Sequence, residues 1–214
     1  EAGVWGEIEA VAVYPFRAGY DLTPINPLGK VPTLALDDGQ VLYGSQAVVE
    51  YLDSLAPGGS ALYPAPGAAR WDALRRLALA DTMFDIATQL TLDNDYSDDG
   101  KPRPKFIDWL WPKIEKGLGV MNQDAEKKHD FDIGDASALH ALTYLDLVVP
   151  NYVPDSIPRD FNWRKGHDTL EQWFDEAVKR PSVQAHFKKT YEGDDSAANC
   201  AIKVAEAFEL KRTD

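Results

Sequence analysis

Residues 56–68 read APGGSALYPAPGA, and no helix or strand of normal geometry runs through them. The stretch holds three prolines and three glycines. Proline removes a backbone donor and clashes with the preceding helical turn, and glycine gives up the most backbone freedom on ordering. The chain on either side changes character. Before the stretch, apolar residues alternate in short runs; after it, they recur every three or four positions. Strands with a helix, a linker, then helices alone implies two units of different architecture. The expectation is an α/β unit over 1–56, a linker over 57–68 and an all-α unit over 69–214, which 214 residues can supply.

Within the first unit, GEIEAVAVY (6–14) alternates and is rich in Val and Ile, the pattern of a strand. YPFRAGYDLTPINP (14–27) is irregular. TLAL (33–36) and QVLY (40–43) are short strands joined at Asp38-Gly39, a hairpin signal because glycine accepts the positive φ of a tight turn. SQAVVEYLDSL (45–55) carries the apolar face of a helix in Val48, Val49, Tyr51, Leu52 and Leu55. The second unit reads as helices over 68–92, 105–127, 132–149, 166–180 and 196–212, with an acidic loop at 93–104. The 132–149 segment is nearly all apolar and so belongs at the centre. Pro112 is expected to kink or divide the second helix.

Charge removes one class of partner. The net charge is −13 and the basic residues are scattered, whereas nucleic-acid binders cluster Lys and Arg to displace counterions. No apolar run approaches the ~18–20 residues of a membrane span. One cysteine, Cys200, allows no internal disulfide and no Cys-rich metal site, and fits a reducing compartment. His129, His140, His167 and His186 have no paired metal-ligand spacing, so no metal is expected. The chain opens with EAG, which reads as the tail of a helix stopped at Gly3.

The chemistry concentrates in NPLGKVPTLALDDGQVLYGSQAVVEYL (26–52). Val31 precedes Pro32 and is thereby driven toward extended geometry. A trans proline opening an edge strand is the ordinary reading. With a cis bond, the main-chain N–H and C=O of Val31 could face outward and pair with a short extended peptide as an added strand. Ser45 opens the helix beyond. Its ordinary role is an N-cap. Val48 stands where a reciprocal capping box needs Glu or Gln, so first-turn amides remain for a carboxylate.

These residues in this order resemble the glutathione S-transferase family. NPLGKVPTL, the Asp-Gly hairpin and YGSQAVVEYLDSL are similar to its thioredoxin-like N-terminal half. ALYPAPGAARWDALRRLALADTMFD, DIGDASALHALTYLDL and DFNWRKGHDTLEQWFDEAVKRPSV resemble its helical half, nearest the bacterial YibF-like group. The likeness covers about residues 1–190. It implies a thioredoxin-like unit, incomplete here, followed by an all-α unit. It implies that Val31 supplies the main-chain pair for the cysteinyl part of glutathione, that Pro32 is the cis proline, that Ser45 and the N–H of Gln46 take the γ-glutamyl carboxylate, and that Lys30 reaches the glycyl end. It further implies a cytoplasmic homodimeric transferase of detoxification chemistry. The enzyme would lower the pKa of the glutathione thiol so that thiolate attacks a small hydrophobic electrophile. The electrophile pocket is expected between the units along the first long helix, with Met83, Phe84, Ala87 and Tyr96 as candidates, although periodicity also suits them to the core.

Two departures qualify the resemblance. Relatives usually carry Glu, Asp or Gln before the helix serine, gripping the ligand's ammonium group; this chain has Gly44. The catalytic Ser, Tyr or Cys of the family belongs to a first strand–helix turn that would lie upstream of Glu1, so the sequence is expected to be part of a longer product. The alternative is a non-catalytic relative that binds weakly or serves protein association. Asp132 and Asp135 are expected to cap the central helix, and His140 to sit in its core. Trp109, Trp111, Trp163 and Trp173 are expected to pack, and Cys200 to be a small hydrophobe. Residues 191–214 extend beyond the family's usual end.

Overall fold

The Asp38-Gly39 turn forms the hairpin that its sequence demands. In the computed structural model, which describes residues 1–11, 13, 21–96, 103–152 and 161–185, Thr33–Ala35 (β1) and Val41–Tyr43 (β2) pair antiparallel, Thr33 opposite Tyr43 and Ala35 opposite Val41. Gly39 takes φ +86°, and the Asp38 carboxylate accepts from the Gln40 amide (2.9 Å) to close the turn. Ser45–Ser54 (α1) follows directly, with Val48 buried beneath it. Asp53, also buried, accepts from the Ala61 amide (2.9 Å) and the Ser60 hydroxyl, which ties the chain after α1 back onto the helix. Glu1–Ala61 form one unit and Leu62–His186 the other.

The expected strand over 6–14 is not present among the described residues of that segment. Trp5–Glu7 make one 3-10 turn, Ile8 is extended, and the hairpin is a two-stranded sheet. Alternation prepares a segment for a ladder, but a strand exists only with a hydrogen-bonding neighbour. Neither β1 nor β2 pairs with this one.

The helical unit comprises Ala68–Asp95 (α2), Pro104–Asp124 (α3), Ile133–Tyr152 (α4) and Asp168–Ala177 (α5). Its core is built from Met83, Leu90, Ile114, Leu118, Leu142 and Leu145, with Trp163 and Leu170 closing one side. α4 packs chiefly against α2, as its apolar sequence anticipates. Pro112 neither divides nor ends α3, which is helical from Pro104 to Asp124. The side chain of Pro112 is on the exposed face, while Leu110, Trp111 and Ile114 hold the helix down through burial. Gly117 lets α3 approach α2 closely: a Cβ there would meet the Met83 side chain, which would have to shift.

Packing orders α4 through an ion cluster. Asp132 accepts from the Gly134 amide (2.8 Å), and Asp135 accepts from the Asp132 amide (3.0 Å), a reciprocal cap. Arg76 of α2, 6% exposed, reaches both carboxylates at 2.5 and 2.9 Å. The proposed terminal helix over 196–212, Cys200, His186, the extension 191–214 and part of the acidic loop lie outside the described residues.

Candidate functional site

The loop 26–32, the hairpin and the start of α1 build one exposed site from backbone. Its frame is Asn26, 1% exposed. The Asn26 amide donates to the Lys30 carbonyl (2.9 Å) and the Thr33 hydroxyl (3.0 Å), and its oxygen accepts from the Leu28 amide (3.0 Å). The Thr33 hydroxyl donates to the same Lys30 carbonyl (2.7 Å). Gly29, at φ +60°, completes the turn by donating to the Asn26 carbonyl (2.8 Å). The Val31-Pro32 bond that follows is cis. Val31 is 48% exposed, and its main chain makes no hydrogen bond to another described residue.

The second part is the N-terminus of α1. The cap residue is Gly44, at φ +82° and ψ 147°, and Ser45 is the first helical residue. This corrects the assignment of Ser45 as N-cap: Gly44 holds that position, supplies the backbone conformation and has no side chain with which to cap the helix. The first turn holds no acidic residue, so the positive end of the helix dipole is open to an anion. One hydrogen bond joins the two parts. The Gly44 amide donates to the Pro32 carbonyl (3.2 Å), which brings the helix start against the Val31-Pro32 step. Lys30, Val31, Pro32, Ser45 and Gln46 are all exposed around that bond. The sequence reading missed Asn26 and its partner Thr33. An Asx-turn signal was present in Asn26-Pro27-Leu28-Gly29, whose side-chain oxygen bonds two residues on.

The four pocket candidates, three on α2 and Tyr96 at its C-terminal cap, separate. Met83 and Ala87, each 2% exposed, lie one turn apart on the stripe that faces α3 and α4, so they are core and not pocket wall. Phe84 is half-buried, with the rings of His140 and Tyr144 at 4.5 and 4.6 Å. Tyr96 is 70% exposed. His140 is not a core residue as expected. Its neighbours Leu139 and Leu142 point inward, and the imidazole lies at the surface with one face on Phe84. Burial of that face holds its pKa below the ordinary 6.5, and Asp81 pulls weakly the other way. Trp109 also departs from the packing role: it is 61% exposed, with the Lys113 ammonium 3.5 Å over its ring.

His129, Asp132 and Asp135 offer ligand atoms within 4.8 Å of one another. The carboxylates already hold Arg76, and Asp135 also meets the His129 ring (3.1 Å). A guanidinium in that position repels a cation, so the arrangement serves α4 and not a metal.

The chain is similar to known proteins over most of its length. The glutathione S-transferase N-terminal domain matches residues 1–55. Glutathione S-transferase GstA of Escherichia coli O157:H7 is 25% identical over 171 residues, covering 78% of this chain and 76% of that protein. A glutathione transferase from Methylobacillus flagellatus KT, solved with glutathione bound, is 29% identical with a TM-score of 0.71, covering 83% of this chain and 85% of that one. A glutathione transferase family member from Pseudomonas fluorescens Pf-5, solved with bound glutathione, is 33% identical with a TM-score of 0.71. That match covers 86% of this chain and 87% of the other. With a small sheet-and-helix unit, a helical unit and this degree of identity over most of both chains, the protein belongs to the glutathione transferase family.

Proposed function

We propose that the chain binds glutathione at the 30–32 and 44–46 segments and serves transfer of its thiolate to a small hydrophobic electrophile. The observation that carries this reading is the Gly44–Pro32 hydrogen bond, which sets an exposed stretch of main chain beside a helix start opened by glycine. Val31 would pair through its backbone with the cysteinyl unit, as an added strand does. Ser45 and the Gln46 amide would take the γ-glutamyl carboxylate at the positive end of α1. Lys30 would reach the glycyl carboxylate. Hydrogen bonding or a nearby positive end favours thiolate over thiol and so lowers the thiol pKa. Phe84 and Tyr96 remain the proposed contacts for the electrophile, and we assign no thiol-activating residue within this sequence. A cytoplasmic homodimer of the YibF-like group is the corresponding biological reading.

Retention on immobilised glutathione, elution by the free tripeptide and conjugation of a model electrophile test the proposal. No retention and no conjugation by the full-length protein would end it. One observation favours a second reading: Gly44 offers no carboxylate to the ligand's ammonium group, which suits a weaker, non-catalytic binding or association role. Retention without turnover of any electrophile would select that reading. Light scattering that returns the mass of one chain would exclude the dimer.

A further inference from the structure

We propose that Asn26, with Thr33, is the positioning residue that aims the main chain of Val31 at the ligand; this rests on the glutathione-binding reading above. The argument is one of peptide geometry. The carbonyl of Lys30 and the N–H of Val31 belong to the same peptide unit. That unit is trans, since the only cis bond among the described residues is the one that follows. In a trans peptide the C=O and N–H point in opposite directions. The Lys30 carbonyl is pinned inward by two donors, Asn26 Nδ2 at 2.9 Å and Thr33 Oγ1 at 2.7 Å. The Val31 N–H therefore points outward.

The pinning is a built feature. Asn26 is buried with both amide hydrogens used, on the Lys30 carbonyl and on Thr33 Oγ1, and with its oxygen taken by the Leu28 amide. Thr33 receives one of those hydrogens and passes its own to the carbonyl, so each donor orients the other. Asn26 also accepts through its backbone carbonyl from Gly29, which closes the loop above it. Loops without such a side chain sample several orientations, and a ligand that pairs with main chain must then bear the cost of fixing one. Neither Asn26 nor Thr33 touches the ligand in the proposed pose. The effect would pass through the orientation of a single amide.

Asn26→Asp and Thr33→Val test it. The first keeps size and the acceptor for Leu28 but removes both donors; the second removes the hydroxyl from a half-buried strand position and leaves the asparagine in place. Isothermal titration with glutathione is expected to show about tenfold weaker binding for each, the scale of one well-placed hydrogen bond. In turnover, KM for glutathione rises by the same factor while kcat and the KM for the electrophile stay within twofold. The amide resonance of Val31 is expected to move in both variants without ligand. A merely structural role would lower the melting temperature and leave the dissociation constant unchanged, and that result overturns the proposal while leaving the binding site intact. Wild-type protein that does not bind glutathione overturns both readings. Should Asn26→Asp fail to fold, Thr33→Val carries the decision alone.

Discussion

In the proposed glutathione site, Gly44 is where backbone conformation and ligand recognition make opposing demands. It caps α1 at φ +82° and ψ 147°, a region that side chains rarely enter. A Cβ built there meets nothing within 4 Å, so a substitution suffers no clash and the cost is conformational alone. That cost is about 1–3 kcal/mol for a residue with a side chain. The corresponding gain is a carboxylate for the ammonium group of glutathione. A hydrogen bond to a charged group contributes ~1.5–3 kcal/mol when well made, but position 44 is exposed, and exposed ion pairs contribute only ~0–1 kcal/mol. An expected gain of about 1 kcal/mol corresponds to roughly fivefold in affinity. Gly44→Ala isolates the backbone cost, and Gly44→Glu adds the carboxylate. Both variants are expected to unfold about 1–3 kcal/mol more easily in urea than the wild type. By calorimetric titration at low salt, Gly44→Glu should bind glutathione about fivefold tighter than Gly44→Ala. The difference should vanish for glutathione acetylated on its amino group. Equal affinity of the two variants, or an equal gain for the acetylated ligand, refutes the reasoning.

Other substitutions address the helical unit. Arg76→Met leaves Asp132 and Asp135 buried without their guanidinium, and the expected loss is about 3–5 kcal/mol in urea unfolding; a loss below about 1 kcal/mol would mean that water or His129 already solvates the pair. The folded-state pKa of His140 lies below its unfolded value of 6.5. Folding therefore disfavours its proton, so the associated stability is present above pH 6.5 and is lost as pH falls through the folded pKa. Its NMR titration should have a midpoint below 6.5, and Phe84→Ala should move it upward by uncovering the ring; a midpoint at or above 6.5 contradicts this.

What could be read in the sequence divides by the range of the forces involved. The hairpin at Asp38-Gly39 and the helices α1 to α5 follow from turn chemistry and from periodicity within a dozen residues, and the structure has them within a few residues of the reading. The 6–14 segment fails the same test because alternation describes a face and not the partner that completes a ladder. Met83 and Phe84 are adjacent in sequence and about 100° apart on α2, so composition alone could not say which faced α3 and which the surface. Arg76 meets partners 56 and 59 residues away, a coupling invisible to any local window. Within the site, Lys30, Val31, Pro32, Ser45 and Gln46 are adjacent to recognisable punctuation, whereas Asn26 looked like one more loop residue until its burial and three side-chain bonds were seen.

A site made from main chain places its sequence requirements away from its contacts. The proposed groups at Val31 and at the start of α1 are backbone atoms, and any residue brings the same N–H and C=O to position 31. Val31 is 48% exposed, and the resemblance gives its side chain no ligand contact. What the sequence must specify is the frame: a buried amide at 26, a hydroxyl at 33 and a glycine conformation at 44. Val31→Ile, which retains the β-branched preference for extended geometry, is accordingly expected to bind glutathione within about twofold of wild type, because a solvent-facing apolar change shifts energies by only ~0.5 kcal/mol. Asn26→Asp, whose side chain reaches no ligand atom in the proposed pose, should cost several times more. Reversal of that order in titration calorimetry would mean that the Val31 side chain, and not the orientation of its amide, is what the ligand recognises.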